Sequence, residues 1–198
     1  MAVRNEMTFQ TPAPIEQVWA LLSDPRRVVT CVPGAQITEQ VDEKTYRGLI
    51  SMKVGPTVTD YKGEVQIVRL NAQNYEMEIL GKGQDVRGKG SASMKMTGKL
   101  RTLPGGLTEV ASVSEVNVVG ILAQMGSRVI NEASNIMFER FTRNFQEKLQ
   151  QESAGATGPG GAATTASTSV AKPIAGFSLA WKAFWSIIAG LFDRKPKS

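Results

Sequence analysis

The sequence GILAQMGSRVINEASNIMFERFTRNFQEKLQQ, residues 120–151, decides the fold. Its apolar residues recur at the i, i+3, i+4 and i+7 spacing of an amphipathic helix. They are Leu122, Met125, Val129, Ala133, Ile136, Met137, Phe141, Phe145 and Leu149. The residues between them, including Asn131 and Asn144, are predicted to face solvent. At about 1.5 Å per residue, one helix on the order of 45 Å long is expected, with its apolar face packed on another layer.

Seven β-strands are predicted before this helix, because apolar and polar residues alternate in short runs separated by turn signals. The runs are residues 3–10, 37–41, 46–54, 57–67, 74–79, 86–100 and 110–118. Two short helices are predicted after the first strand, in residues 14–22 and 26–31. The predicted fold class is α+β, with an antiparallel sheet that is polar on one face and wraps its other face around the long helix.

The composition excludes several kinds of catalytic and metal site. The 198 residues include no histidine and a single cysteine, Cys31. Histidine-based triads, His/Cys zinc sites, haem ligation through histidine and cysteine-ligated iron–sulfur clusters are therefore not expected. No apolar run follows Met1, so the sequence predicts no secretory signal and a cytoplasmic protein. We find no nucleophile–base pair, and the protein is predicted not to be an enzyme.

The net charge of +5 is unevenly distributed. Residues 1–152 carry a net charge of +1 and residues 153–198 a net charge of +4. The nearest approach to a basic patch is four outward residues on one predicted strand, Arg87, Lys89, Lys95 and Lys99. A solvated strand face explains them better than a nucleic-acid site, which would combine basic and aromatic residues. No nucleic-acid partner is predicted.

Three segments follow from the change in composition after the long helix. Residues 1–152 are predicted to form one ligand-binding domain, and residues 153–172, which are mostly Gly, Ala, Ser and Thr, a disordered tether. Residues 173–198 are predicted to form an amphipathic aromatic helix with a basic end. Its membrane-facing candidates are Phe177, Trp181, Lys182, Phe184, Trp185, Ile188, Leu191 and Phe192. The favoured position is the membrane interface, and the alternatives are docking on a protein groove or crossing the bilayer.

Methionines and small residues alternate onto the face that the sheet is predicted to turn toward the helix. Small residues leave volume and methionines line it adaptably, which favours an apolar pocket. The equally supported alternative is an ordinary core in which the glycines serve sheet twist. The candidate ligand-binding residues are Met52, Thr59, Tyr61, Met77, Met94, Met96, Met125, Val129, Met137 and Phe141. Ser112 and Ser114 are further inward polar groups.

Four segments together resemble the CoxG family of carbon monoxide dehydrogenase proteins, within the START/Bet v 1-like (SRPBCC) superfamily. They read WALLSDP (19–25) with CVPGA (31–35), VGP (54–56) with YKG (61–63), GKGSA (88–92), and GILAQMGSR (120–128). The resemblance covers about residues 2–150. It implies a helix-grip fold with a cavity between the long helix and the sheet.

The same resemblance implies a partner, an aerobic CO dehydrogenase-type molybdenum hydroxylase. Members of the family are linked to recruiting that enzyme to the cytoplasmic membrane and to handling respiratory quinone for it. The expected function is therefore a carrier of menaquinone or ubiquinone, without a metal, held peripherally on the cytoplasmic face of the cell membrane. The alternative is a recruiting or maturation factor that binds no ligand. A cyclase-type enzyme suits the superfamily, but the residues for it are missing.

Overall fold

The computed structural model describes residues 1–156, and these form seven strands and four α-helices. In chain order the elements are β1 Ala2–Thr11, α1 Ile15–Leu22, α2 Pro25–Val28 with a 3₁₀ turn Val29–Cys31, β2 Ala35–Gln40, β3 Thr45–Val54, β4 Thr57–Asn71, β5 Glu76–Asp85, β6 Gly90–Thr102, β7 Thr108–Gly120, α3 Ile121–Gln124 and α4 Ser127–Ala156. The predicted order of strand, two short helices, six strands and a long helix is confirmed.

The strands form one antiparallel sheet in the order β1-β7-β6-β5-β4-β3-β2. Each neighbouring pair from β2 to β7 is consecutive in the chain, and β1 closes the sheet by pairing with β7 along its whole length, from Ala2 opposite Asn117 to Thr11 opposite Thr108. The helix α4 approaches the sheet most closely at β1 and β3, which lie on its two flanks. The sheet therefore curves around α4 as the sequence predicts.

One predicted strand begins later than expected. Residues 86–89, assigned to the strand 86–100, form the turn between β5 and β6 instead, and Gly88 adopts a left-handed φ of 73° there. The Asp85 carboxylate stabilises this turn by accepting hydrogen bonds from the backbone N–H groups of Arg87 (2.9 Å) and Lys89 (3.2 Å). Such a side-chain cap favours a turn over continued strand pairing.

The predicted long helix is broken near its start. Gly126, with φ of 83°, separates α3 from α4, and its carbonyl accepts the N–H of Ile130 in the first turn of α4. The predicted apolar stripe is wrong at Ile136, whose residue surface is 43% exposed. Phe138, two residues away, packs in the core instead, because residues two apart lie on nearly opposite sides of a helix.

The helix α4 ends at Ala156, four residues into the range 153–172 that was predicted as a tether. The rest of that range and the predicted membrane helix, residues 173–198, lie outside the described residues. Within residues 1–156, no helix is both long and apolar enough to cross a membrane.

Two separate hydrophobic clusters hold the helices to the sheet. The first, here called the phenylalanine cluster, joins α1, the end of α4 and one end of the sheet around Phe9 and Phe145. The ring of Phe9 meets those of Phe138, Phe141 and Phe145 edge to face, with centroids 6.0, 6.5 and 5.7 Å apart. The second, here called the tyrosine cluster, joins α3 and the start of α4 to the other end of the sheet around Tyr61. No buried residue belongs to both clusters.

Candidate functional site

The inner face of the sheet is buried at both ends and accessible in the middle. On β7, Val110 and Val118 are 7% and 3% exposed, whereas the inward residues between them are only half-buried. On β1, Val3 and Phe9 are buried and the residues between them are half-buried in the same way. The half-buried inward residues of these two strands are Ser112, Ser114, Val116, Asn5 and Met7.

The central strands repeat this pattern. On β5, Met77 and Asp85 are buried at the two ends, and on β3 Tyr46 and Val54 are buried at the two ends. Between them lie half-buried inward residues, namely Ile79, Gly81, Gly83, Gly48, Ile50 and Met52. A side chain in a close-packed core leaves almost no surface for a water-sized probe, so this surface requires open space beside these residues. The space lies between the phenylalanine cluster and the tyrosine cluster, under α4.

Two glycines of β5 help to create this space. A Cβ atom added at Gly81 would meet only the terminal methyl of Met94, at 3.5 Å, and one added at Gly83 would meet Tyr61 and the Lys62 carbonyl at 3.5 Å. These are ordinary contact distances, so the missing side chains leave volume that is otherwise free. Both interpretations of the inward glycines thus have examples, because Gly48 has a different role: a Cβ there would lie 2.3 Å from the Gln36 carbonyl oxygen of β2.

The ten predicted ligand-binding residues fall into three groups. Met94, Met96 and Met137 are half-buried and belong to neither cluster, so they lie in the middle of the grip. The other seven are placed in or against the clusters at its two ends. Those at the tyrosine cluster are Met52, Thr59, Tyr61, Met125 and Val129, and those at the phenylalanine cluster are Met77 and Phe141.

Thr59 and Tyr61 lie beside a buried carboxylate. The Thr59 hydroxyl donates a 2.7 Å hydrogen bond to Asp85 Oδ2, and this bond is the main reason that the pKa of Asp85 is below its ordinary value. Burial, and next the charge of Asp85, raise the pKa of Tyr61. The phenol of Tyr61 therefore stays neutral at physiological pH, where it is available as a hydrogen-bond donor.

Two buried polar atoms on α4 were missed by the sequence analysis. Asn131 Oδ1 and Thr142 Oγ1 have no hydrogen-bond partner among the described residues. Asn131 had been assigned to the solvated face, and its spacing of seven residues from Phe138 is the signal that places it on the packed side. Asn144, also assigned to solvent, donates a 3.0 Å hydrogen bond to the Cys31 carbonyl. Orphaned acceptors of this kind are uncommon in folded proteins and mark places where a ligand or water can bind.

Asp85→Asn is expected to destabilise the protein near neutral pH, because an amide has one acceptor oxygen where this carboxylate uses two. The pKa of Asp85 is lowered in the folded state, so its contribution is present above the unfolded-state pKa and is lost as the pH falls through the folded-state pKa. The difference in free energy of unfolding between wild type and variant should therefore shrink from about pH 5 to about pH 2. Urea denaturation across this range measures it.

Glu6→Gln is the matched control, since the Glu6 side chain is 67% exposed and its substitution should change stability by less than about 0.5 kcal/mol. A difference between wild type and Asp85→Asn that stays constant with pH would contradict the assigned role of the carboxylate.

The fold matches solved structures of low sequence identity. The crystal structure of a conserved protein from Geobacillus kaustophilus has a TM-score of 0.69 at 17% identity, over 76% of this chain and 97% of that one. The Zhui aromatase/cyclase from Streptomyces sp. R1128 has a TM-score of 0.61 at 11% identity, over 80% and 100%. A START superfamily protein from Mycobacterium smegmatis has a TM-score of 0.54 at 10% identity, over 75% and 98%. A comparison with curated proteins finds no match.

These likenesses confirm the predicted START-like helix-grip fold. The comparison with protein families is more specific, because the model of the carbon monoxide dehydrogenase CoxG family matches residues 8–150. That match covers nearly the whole sheet and nearly all of α4. The resemblance found in the four sequence segments is thereby confirmed, and the chain belongs to the CoxG family of carbon monoxide dehydrogenase proteins.

Proposed function

We propose that this protein carries an isoprenoid respiratory quinone, menaquinone or ubiquinone, for an aerobic CO dehydrogenase-type molybdenum hydroxylase. The observation that carries the proposal is the accessible middle of the inner face, which lies between two packed clusters. Membership of the CoxG family supplies the link to a CO dehydrogenase. The START-like fold agrees with binding of a hydrophobic ligand.

The residues around this space suit a molecule with a polar head and an apolar chain. Met94, Met96 and Met137 provide adaptable apolar surface. Ser112 and Ser114 lie half-buried on the same inner face, and their hydroxyl groups can donate hydrogen bonds to quinone carbonyl oxygens. A carrier needs this combination and no catalytic group, so electron transfer would take place on the cofactors of the dehydrogenase.

The proposal also assigns roles to the segments beyond the described residues. Residues 173–198 would bind the membrane interface through their aromatic residues and place their basic end near anionic lipid. The protein would then lie peripherally on the cytoplasmic face of the membrane, where quinone is available. Residues 157–172 would give the domain room to reach the dehydrogenase.

A second candidate function is a recruiting or maturation factor that binds the dehydrogenase but no quinone. One observation favours it: Thr59, Tyr61 and Met77, three of the candidate ligand-binding residues, are at most 5% exposed and so are already packed. In that case the middle space would be a loosely packed core.

Native mass spectrometry with lipid extraction separates the two functions, using the full chain purified from its own membranes. The carrier function predicts an isoprenoid quinone at near-stoichiometric amounts. Gly81→Phe should lower the quinone content at least about tenfold, because the phenyl ring enters the middle space that the ligand needs. Ser114→Phe fills the same space from β7 and provides a second variant should the first fold poorly.

Leu80→Phe is the matched control, because Leu80 neighbours Gly81 in β5 and therefore points to the other face of the sheet. It should retain its quinone. Protein that is empty of quinone and still binds the dehydrogenase would overturn the carrier function and support the recruiting factor.

A further inference from the structure

A groove of about 780 Å³ crosses the outer face of the sheet, the face opposite α4. It is called the outer groove here and is lined by outward residues of β3, β4, β5, β6 and β7. One row of its floor runs in register across these five strands, from Leu49 through Lys62, Gln84 and Ser91 to Val119. At about 4.8 Å between strands, this row is roughly 19 Å long.

Two lysines in the outer groove have no acidic partner. Elsewhere on the outer face, cross-strand ion pairs neutralise the cations, for example Lys95 with Glu78 at 3.1 Å and Lys99 with Glu76 at 3.0 Å. No carboxylate among the described residues lies within 4 Å of the Lys62 or Lys82 ammonium.

The acidic residue opposite Lys82 is already engaged. Glu64 faces Lys82 across the β4–β5 ladder, but its carboxylate pairs with Arg47 at 3.4 Å. The side chains lining the groove include three cations, Arg47, Lys62 and Lys82, and one carboxylate, Glu64, which leaves a net charge of +2.

The two ends of the row are apolar and accessible. Leu49 is 44% exposed at one end and Val119 is 61% exposed at the other. An extended peptide advances about 3.3 Å per residue, so about six residues span the distance between them. The groove thus presents apolar contacts at its ends and unpaired positive charge between them.

We propose that the outer groove is a docking site for an acidic segment of a partner protein, with its carboxylates over Lys62 and Lys82 and its apolar side chains against Leu49 and Val119. A second copy of the chain is a poor occupant, because a symmetric contact would set these lysines against their own copies. An anionic membrane is also a poor occupant, because a flat lipid surface meets the rims of a concave groove before its floor. The site lies on the face opposite the proposed quinone site and is independent of it.

The test uses the full chain and a fluorescein-labelled octapeptide in which leucine and glutamate alternate. Fluorescence anisotropy should detect binding that weakens as salt is added. The double variant K62E/K82E should weaken it at least about tenfold, and a peptide with glutamine in place of glutamate should bind as weakly. The control K44E/K53E makes the same change in charge at exposed lysines outside the groove lining and should bind like wild type. The amide resonances of Gly63 and Gly83 should shift on titration with the peptide.

Equal peptide binding by wild type and K62E/K82E, or no binding at all, would overturn the proposal. It would also be overturned if K62E/K82E lost binding to phosphatidylcholine–phosphatidylserine vesicles but not to the peptide, which would indicate a membrane surface. A wild-type dimer that K62E/K82E dissociates in analytical ultracentrifugation would indicate a second copy instead. Quinone content should be the same in K62E/K82E and wild type, so failure of this proposal and failure of the carrier function can be told apart.

Discussion

Gly63→Ala is expected to destabilise the protein by more than about 3 kcal/mol, because the new Cβ atom would collide with backbone. It would lie 2.2 Å from the Lys82 carbonyl oxygen and 2.9 Å from the Gly83 Cα atom, both on the neighbouring strand β5. No side-chain rotation relieves such a contact, so β4 and β5 must separate and lose hydrogen bonds at the centre of the sheet. Urea denaturation followed by circular dichroism measures the loss.

Gly81→Ala is the matched control for this prediction. Gly81 is also a glycine at the β4–β5 pairing, but its added Cβ atom would meet only the flexible end of Met94, at 3.5 Å. Its effect should stay within about 1 kcal/mol. Equal losses in the two variants would show that strand propensity rather than close approach of the backbones determines the effect.

Phe145→Ala should destabilise the protein by about 3–5 kcal/mol, the usual cost of removing a fully buried aromatic ring. Phe145 has no exposed surface, and its ring lies 5.7 Å from that of Phe9 and 5.5 Å from that of Phe141. A chain of this size loses roughly 2–4 °C of Tm per kcal/mol, so a decrease of roughly 6–20 °C is expected. Differential scanning calorimetry measures it directly.

Ile136→Ala provides the comparison, because the sequence pattern put Ile136 and Phe145 on the same apolar stripe. Ile136 is 43% exposed in the structure, and its truncation should cost less than about 1 kcal/mol. Similar losses of stability in the two variants would contradict the orientation of α4 on the sheet.

The elements of this fold were predictable because each depends on neighbours in sequence. Alternation of apolar and polar residues identified the strands, and a period near 3.6 identified the long helix. The errors arose where a single residue sets the local backbone. Gly126, with its left-handed φ, starts α4 afresh, and the hydrogen bonds to Asp85 turn the chain where alternation predicted a continued strand.

The candidate site was less predictable, because alternation says which face a residue occupies but not what lies above it. Met77 and Met94 both point inward, yet Met77 is packed in the phenylalanine cluster whereas Met94 lies in the open middle. That difference depends on where the helices touch the curved sheet. The roles of Gly63 and Gly81 differ for a similar reason, since only the strand register brings a carbonyl oxygen against Gly63.

The separation of the core into two clusters also affects how this protein can change over evolution. Packing at the two ends maintains the fold, so residues in the middle are largely released from the requirement to interlock with their neighbours. Substitutions there alter the shape and polarity of the internal space at little cost in stability. The same scaffold can therefore acquire a different ligand preference through a few changes in the middle strand positions, without first accumulating compensating mutations elsewhere.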